Sequence, residues 1–124
     1  IVFAEKMNID DHISRHSCGD LYLDTFKLNA GTTANISLNS GMPIITLLGD
    51  SYSTRIVSST LRAQNIDVLI TSSESEYEAL ANELATNKEK LNHILEKIKI
   101  NNLSFDPYQF TRELENLYNS IKEV

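Results

Sequence analysis

The chain has 124 residues, 41% hydrophobic and 23% charged, a composition that fits one globular domain and excludes a disordered or fibrous protein. Its apolar runs, such as residues 44–48, fall far short of the ~20 residues that a membrane-crossing helix needs, so no membrane partner is expected. A formal net charge of -6 repels a phosphate backbone and excludes general nucleic-acid affinity, while leaving room for a local anion site. The lone cysteine, Cys18, rules out an intrachain disulfide framework and a multi-cysteine zinc site, which points to a reducing, cytoplasmic setting.

The opening IVFAEKM has neither an initiator Met nor the basic start of a signal peptide, and it reads as the interior of something longer. Four short β-branched runs are predicted as strands, at residues 1–4, 21–24, 44–48 and 68–70, each followed by a helical pattern. The first helix is expected from about Asp10 to before Gly19, and the second from after Gly31 to Gly41, with Pro43 barring continuation. A third runs from about Ser51 to Gln64, with Tyr52, Ile56, Val57 and Leu61 on the face that meets a sheet. Strands alternating with longer helices imply βαβ units and parallel pairing. After Thr71 helix formers take over, and Ser73 with Glu76 and Thr86 with Glu89 read as two capping boxes. Their helices carry stripes of Tyr77, Leu80, Ala81 and Leu84, then of Leu91, Ile94, Leu95 and Ile98. Asp106 and Pro107 open a last helix with the stripe Phe110, Leu114, Leu117 and Ile121. No internal repeat or linker divides the chain, so residues 1–124 read as a single α/β domain.

The segment DTFKLNAGTT, at residues 24–33, has the layout of an anion cradle: a strand end, a loop and a helix start. Free N–H groups at a helix N-terminus, beside Gly31 and the hydroxyls of Thr32 and Thr33, suit a phosphate or diphosphate. The plainer alternative is that Thr32 or Thr33 is a simple N-cap. His12 and Arg15 lie three apart and share one helix face, where they can frame a ligand or form a solvated surface. An imidazole can stack on a base, and a guanidinium can bond or stack on it. His16 and His93 read as surface residues, and Cys18 as a small buried hydrophobe. Asp50, in the turn before the third helix, reads as a cap, and Arg55 either reaches back over the strand ends or pairs with an acid. No His, Asp or Glu set has metal-ligand spacing, so no metal is expected.

The stretch DLYLDTFKLNAGTTANISLNSGMPIITLLGDSYSTRIVSSTL, with DDHISRH before it and EYEALANELAT and FDPYQFTRELENLY after it, strongly resembles the O-GlcNAc transferase and Spindly family, glycosyltransferase family forty-one. The resemblance implies a GT-B enzyme, in which two Rossmann-like domains hold a nucleotide-sugar donor, and this chain is similar to the last part of the C-terminal one. Its fold is then a partial Rossmann-like parallel sheet of about four strands with C-terminal helices. The family activity implied is transfer of GlcNAc or a related hexose from UDP to a protein Ser or Thr hydroxyl. UDP-sugar enters as donor substrate, and no cofactor is implied. By resemblance, His12 stacks on the uracil, Arg15 and backbone near Met7 contact the base, and Thr32 and Thr33 hold the diphosphate beside Gly31. No catalytic residue is implied within this stretch. The acceptor-binding domain, the lysine and glutamine that touch the donor phosphates, and any TPR repeats would precede Ile1.

Three positions depart from the family pattern. Gly31 follows the Spindly-like loop, where animal O-GlcNAc transferases have histidine. Ile36 stands where an acidic residue bonds the donor's ribose. Ile9 stands where animal members place a lysine near the diphosphate, a charged hydrogen bond worth ~1.5 to 3 kcal/mol. If the parent sheet has the order 3-2-1-4-5-6, residues 1–4 form its third strand and residues 21–24 keep an unpaired edge. That edge is expected to be exposed, to pair out of register with the first run, or to be covered by a second copy of the chain in a homo-oligomer. A degenerate nucleotide-binding or protein-interaction module without activity is the alternative reading, with Ile36 as its sign.

Overall fold

A computed structural model describes residues 1–100 and 107–122. Among these residues six α-helices and three strands follow in the order α1 (Ile9–His16), β1 (Tyr22–Leu23), α2 (Thr32–Asn39), β2 (Ile44–Leu47), α3 (Ile56–Ala63), β3 (Ile70–Thr71), α4 (Glu74–Thr86), α5 (Lys88–Ile100) and α6 (Pro107–Lys122). The sheet is parallel in the order β1-β2-β3, with Tyr22 opposite Ile44 and Thr46 opposite Ile70. The α/β class expected from the alternation is the class observed.

Residues 1–4 form no strand, and Ile1, Val2 and Phe3 are almost fully exposed, so the sheet has three strands where about four were expected. A β-branched run becomes a strand only against a partner, and no described strand pairs with this one. β1 is therefore an edge, paired with β2 alone, and Leu23 on it is 54% exposed. Of the three outcomes foreseen for this edge, out-of-register pairing with the first run is the one the structure removes, since residues 1–4 form no strand. The strand expected at residues 68–70 starts two residues later, because Asp67–Leu69 closes a 3-10 turn first.

Helix ends follow local chemistry. Asn8 caps α1 through its side chain, which accepts from the Asp11 N–H at 2.9 Å. α2 stops in a Schellman motif, with Met42 N–H on the Ser37 carbonyl and Gly41 N–H on that of Leu38. Gly41 sits at φ 84, which a side chain would strain. α3 ends the same way with Asn65 at φ 55. Its predicted start at Ser51 is instead a separate 3-10 turn, Tyr52–Thr54, which leaves Tyr52 87% exposed rather than against the sheet. Thr54 Oγ1 accepts the Ser51 N–H at 3.1 Å, so Ser51 and Thr54 make this cap, not Asp50.

Ser73 caps α4 as expected, accepting from the Glu76 N–H. The Glu76 carboxylate binds the Ser72 N–H and hydroxyl instead of closing the box, and these bonds hold its pKa below the ordinary value. α5 is capped by Asn87, which takes the Lys90 N–H, while the Thr86 hydroxyl turns back to the Asn82 carbonyl. Asn87 lies one residue nearer the helix that it must cap.

The core lies between the sheet and helices α2 to α5. Leu38, Ile44, Ile45, Val57, Leu61, Ile66, Leu69, Leu84, Ile94 and Ile98 are fully or almost fully buried. Burying each such side chain contributes on the order of 1.5–3 kcal/mol. In α6 the stripe residues Phe110, Leu117 and Ile121 are more than half exposed. Asp106, expected to open α6 with Pro107, lies outside the described residues.

Candidate functional site

β1 delivers the chain to a loop, residues 24–31, that a buried carboxyl group shapes. Asp24 Oδ1 accepts the Ala30 N–H at 2.8 Å, and its Oδ2 accepts the Thr46 hydroxyl at 2.7 Å. The Tyr77 hydroxyl donates to the Asp24 carbonyl at 3.0 Å, and Thr71 Oγ1 donates to the Thr46 carbonyl at 3.0 Å. One polar chain thus runs from β3 through β2 to the loop after β1. Asn29 clamps the loop further, donating Nδ2–H to the Thr25 carbonyl and its backbone N–H to Ser53. Burial, then Asp24, then Tyr22, pushes the Tyr77 hydroxyl up to about 12, so it stays a donor through neutral pH.

The loop ends at Gly31, which is the N-cap of α2; no side chain caps this helix, so neither Thr32 nor Thr33 is the simple N-cap that was the alternative. Its first turn holds no acidic residue. With no capping oxygen, the helix end keeps its partial positive charge for an anion.

α1 faces this end of α2 across a cleft of about 350 Å³, lined by His12, Arg15, His16, Gly19, Tyr22, Thr33 and Met42. His12 and Arg15, paired in the sequence, and Thr33, singled out apart from them, meet here. Met7, Gly31, Thr32 and Ile36 do not line the cleft: Met7 is 39% exposed before α1, Thr32 is exposed on the first turn, and Ile36 is half-buried one turn on. The Arg15 guanidinium donates to His12 Nδ1 at 2.9 Å. Because Arg has no acceptor to offer, the neutral His12 ring carries its hydrogen on Nε2.

His16 is buried, not a surface residue as expected. Its ring stands edge-on to His12 at 5.0 Å and lies stacked on Tyr22 at 6.4 Å. Burial, then His12, then Arg15, lowers its pKa from 6.5. In the sequence His16 follows His12 by four and so shares its face, but that spacing does not say whether the face is buried. Gly19 belongs to the same wall, where a Cβ would stand 2.5 Å from Met42 Sδ.

His93 is exposed as expected, and Cys18 is exposed where a buried hydrophobe was expected. Cys18 follows the last turn of α1 and bonds Arg15 through its backbone N–H, which leaves the thiol outside the core. Arg55 Nε donates to the Gly49 carbonyl at 3.0 Å, so it reaches back to the loop after β2 rather than pairing with an acid. Among the described residues no helix is long and apolar enough to cross a membrane.

Residues 1–114 match the family model of Glycosyl transferase family 41. The probable UDP-N-acetylglucosamine--peptide N-acetylglucosaminyltransferase SEC of Arabidopsis thaliana is 33% identical over 122 residues, 95% of this chain and 12% of its own length. The corresponding probable enzyme SPINDLY of Hordeum vulgare is 33% identical over 114 residues, 90% of this chain and again 12% of its own length. A solved structure, a point mutant of the Thermobaculum terrenum O-GlcNAc transferase, has a TM-score of 0.82 at 29% identity, covering 90% of this chain and 22% of that one. This chain therefore spans 12% of the length of these curated relatives. With the α/β frame, the uncapped α2 and the family's own sequence pattern coinciding over residues 1–114, the chain belongs to glycosyl transferase family 41.

Proposed function

We propose that this chain holds the nucleotide of a UDP-sugar donor for transfer of GlcNAc or a related hexose to a protein Ser or Thr hydroxyl. The observation that carries the reading is the single cleft to which α1 brings His12 and Arg15 and α2 brings Thr33. His12 stacks on the uracil, and Arg15, held against it, bonds the base with its remaining N–H groups. Thr32, Thr33 and the N–H groups of the first turn take the diphosphate beside Gly31. As the glycosidic bond breaks, the α2 dipole stabilises charge growing on the leaving diphosphate. The catalytic base and the acceptor site belong to the rest of a longer enzyme, which is this chain's partner together with the protein acceptor. The setting is cytoplasmic, and TPR repeats accompany the catalytic region.

A ¹H–¹⁵N NMR titration of the chain with UDP, with inorganic phosphate as control, tests this. Amide shifts at His12, Arg15, Thr32 and Thr33 with UDP and not with phosphate are expected. Their absence at millimolar UDP overturns the reading.

Ile36 favours a second reading, a degenerate nucleotide-binding or protein-interaction module without activity. It offers no oxygen to a ribose and packs half-buried on α2. On that reading UDP binds weakly and Ile36→Asp strengthens it.

A further inference from the structure

His16 has no part in the binding scheme above, yet it sits between the two helices that carry it. It lies in the last turn of α1, and its Nδ1 is 2.9 Å from Ser37 Oγ on α2. A serine hydroxyl has one proton, and Ser37 gives it to the Thr33 carbonyl at 2.9 Å. Ser37 can then only accept from the imidazole, so the hydrogen of the neutral His16 ring is on Nδ1. Bonds from His16 to Ser37 to Thr33 join the helix of His12 and Arg15 to the first turn of α2. Edge contact with His12 and stacking on Tyr22 fix the ring from two further sides. The neutral form suits this place, because Arg15 is the charged neighbour and no carboxyl group lines the cleft.

We infer that His16 is a positioning residue, which through its Nδ1–H locks α1 to the first turn of α2 and sets the spacing between His12 with Arg15 and Thr33. The consequence for affinity rests on the UDP reading of the cleft. The lock itself does not. A nucleoside diphosphate must meet both ends at once, whereas free phosphate needs the α2 end alone.

Side-chain ¹⁵N NMR of the full chain at neutral pH reads the lock without ligand. A protonated-type signal on His16 Nδ1 and a lone-pair signal on Nε2 are expected; the opposite tautomer overturns the inference. His16→Ala should shift the Thr33 amide and weaken UDP roughly five- to tenfold, with phosphate unchanged, the effect of losing about one hydrogen bond. His16→Asn, whose amide N–H stands near the Nδ1 position, should restore UDP affinity to within about twofold. An alanine variant that leaves the Thr33 amide and UDP affinity unmoved, or an asparagine variant that rescues neither, overturns the lock. If the unaltered chain binds no UDP, the functional reading falls, and the tautomer with the Thr33 amide decides the lock alone.

Discussion

Two polar clusters lie beside β1, and they differ in how completely their groups are satisfied. In one, Asp24, Thr46, Thr71 and Tyr77 are buried and bonded from β3 through β2 to the loop after β1. In the other, His12, Arg15, His16 and Thr33 border an open cleft, and of these only His16 is buried. The first cluster has spent its hydrogen-bonding capacity on holding the loop before α2, so it has little to offer a ligand. The second keeps unspent donors, at the guanidinium and at the uncapped helix end. Burial and saturation thus separate a set that braces the fold from a set whose donors stay open to solvent.

The sharpest way to break this contrast is Asp24→Ala. It strands the Ala30 N–H and the Thr46 hydroxyl in the interior, and urea unfolding should show a loss on the order of 2–5 kcal/mol. A loss under about 0.5 kcal/mol, the range of a surface substitution, would show that the cluster is not what holds the loop.

His12→Ala probes the other side. Loss of stacking on a base should raise the Kd for UDP about tenfold and leave phosphate binding and the urea midpoint nearly unchanged. Equal weakening of UDP and phosphate would separate His12 from the base.

Tyr77→Phe removes the hydroxyl bond to the Asp24 carbonyl and should cost about 1 kcal/mol. It also has a signature in pH. The folded pKa is raised from 10.0 to about 12, so the stability it contributes is complete below 10.0 and is lost as pH rises toward 12. Unfolding monitored across that range should show a shallower alkaline decline in the phenylalanine variant than in the original chain.

The smallest effect is expected at His16. Its folded pKa lies below 6.5, so its contribution to stability is complete above 6.5 and is lost as pH falls through the lower folded value. His16→Asn should flatten the acid side of the stability profile, and an unchanged profile would place the titration elsewhere.

Much of this was legible in the chain itself. Periodicity located α1, α2, α4 and α5 to within a residue or two, because an amphipathic stripe and its cap are local properties. The run of residues 1–4 misled, since a strand needs a partner that the run itself does not encode. The pairing of His12 with Arg15 could be read from their spacing, and the uncapped start of α2 was one of two readings of the Gly31 loop. The burial of His16 and the exposure of Cys18, two residues later, were not predicted. Each depends on where α1 lands against α2 and β1.

By itself the sequence determined the alternation of strands and helices, the turn at Gly41 and the residue types of both polar clusters. Tertiary structure alone decided that Asp24 braces a loop, that His16 spans two helices and that α1 closes a cleft with α2. Those outcomes are contacts between segments distant along the chain, and spacing within one segment carries no record of which side chain will meet another.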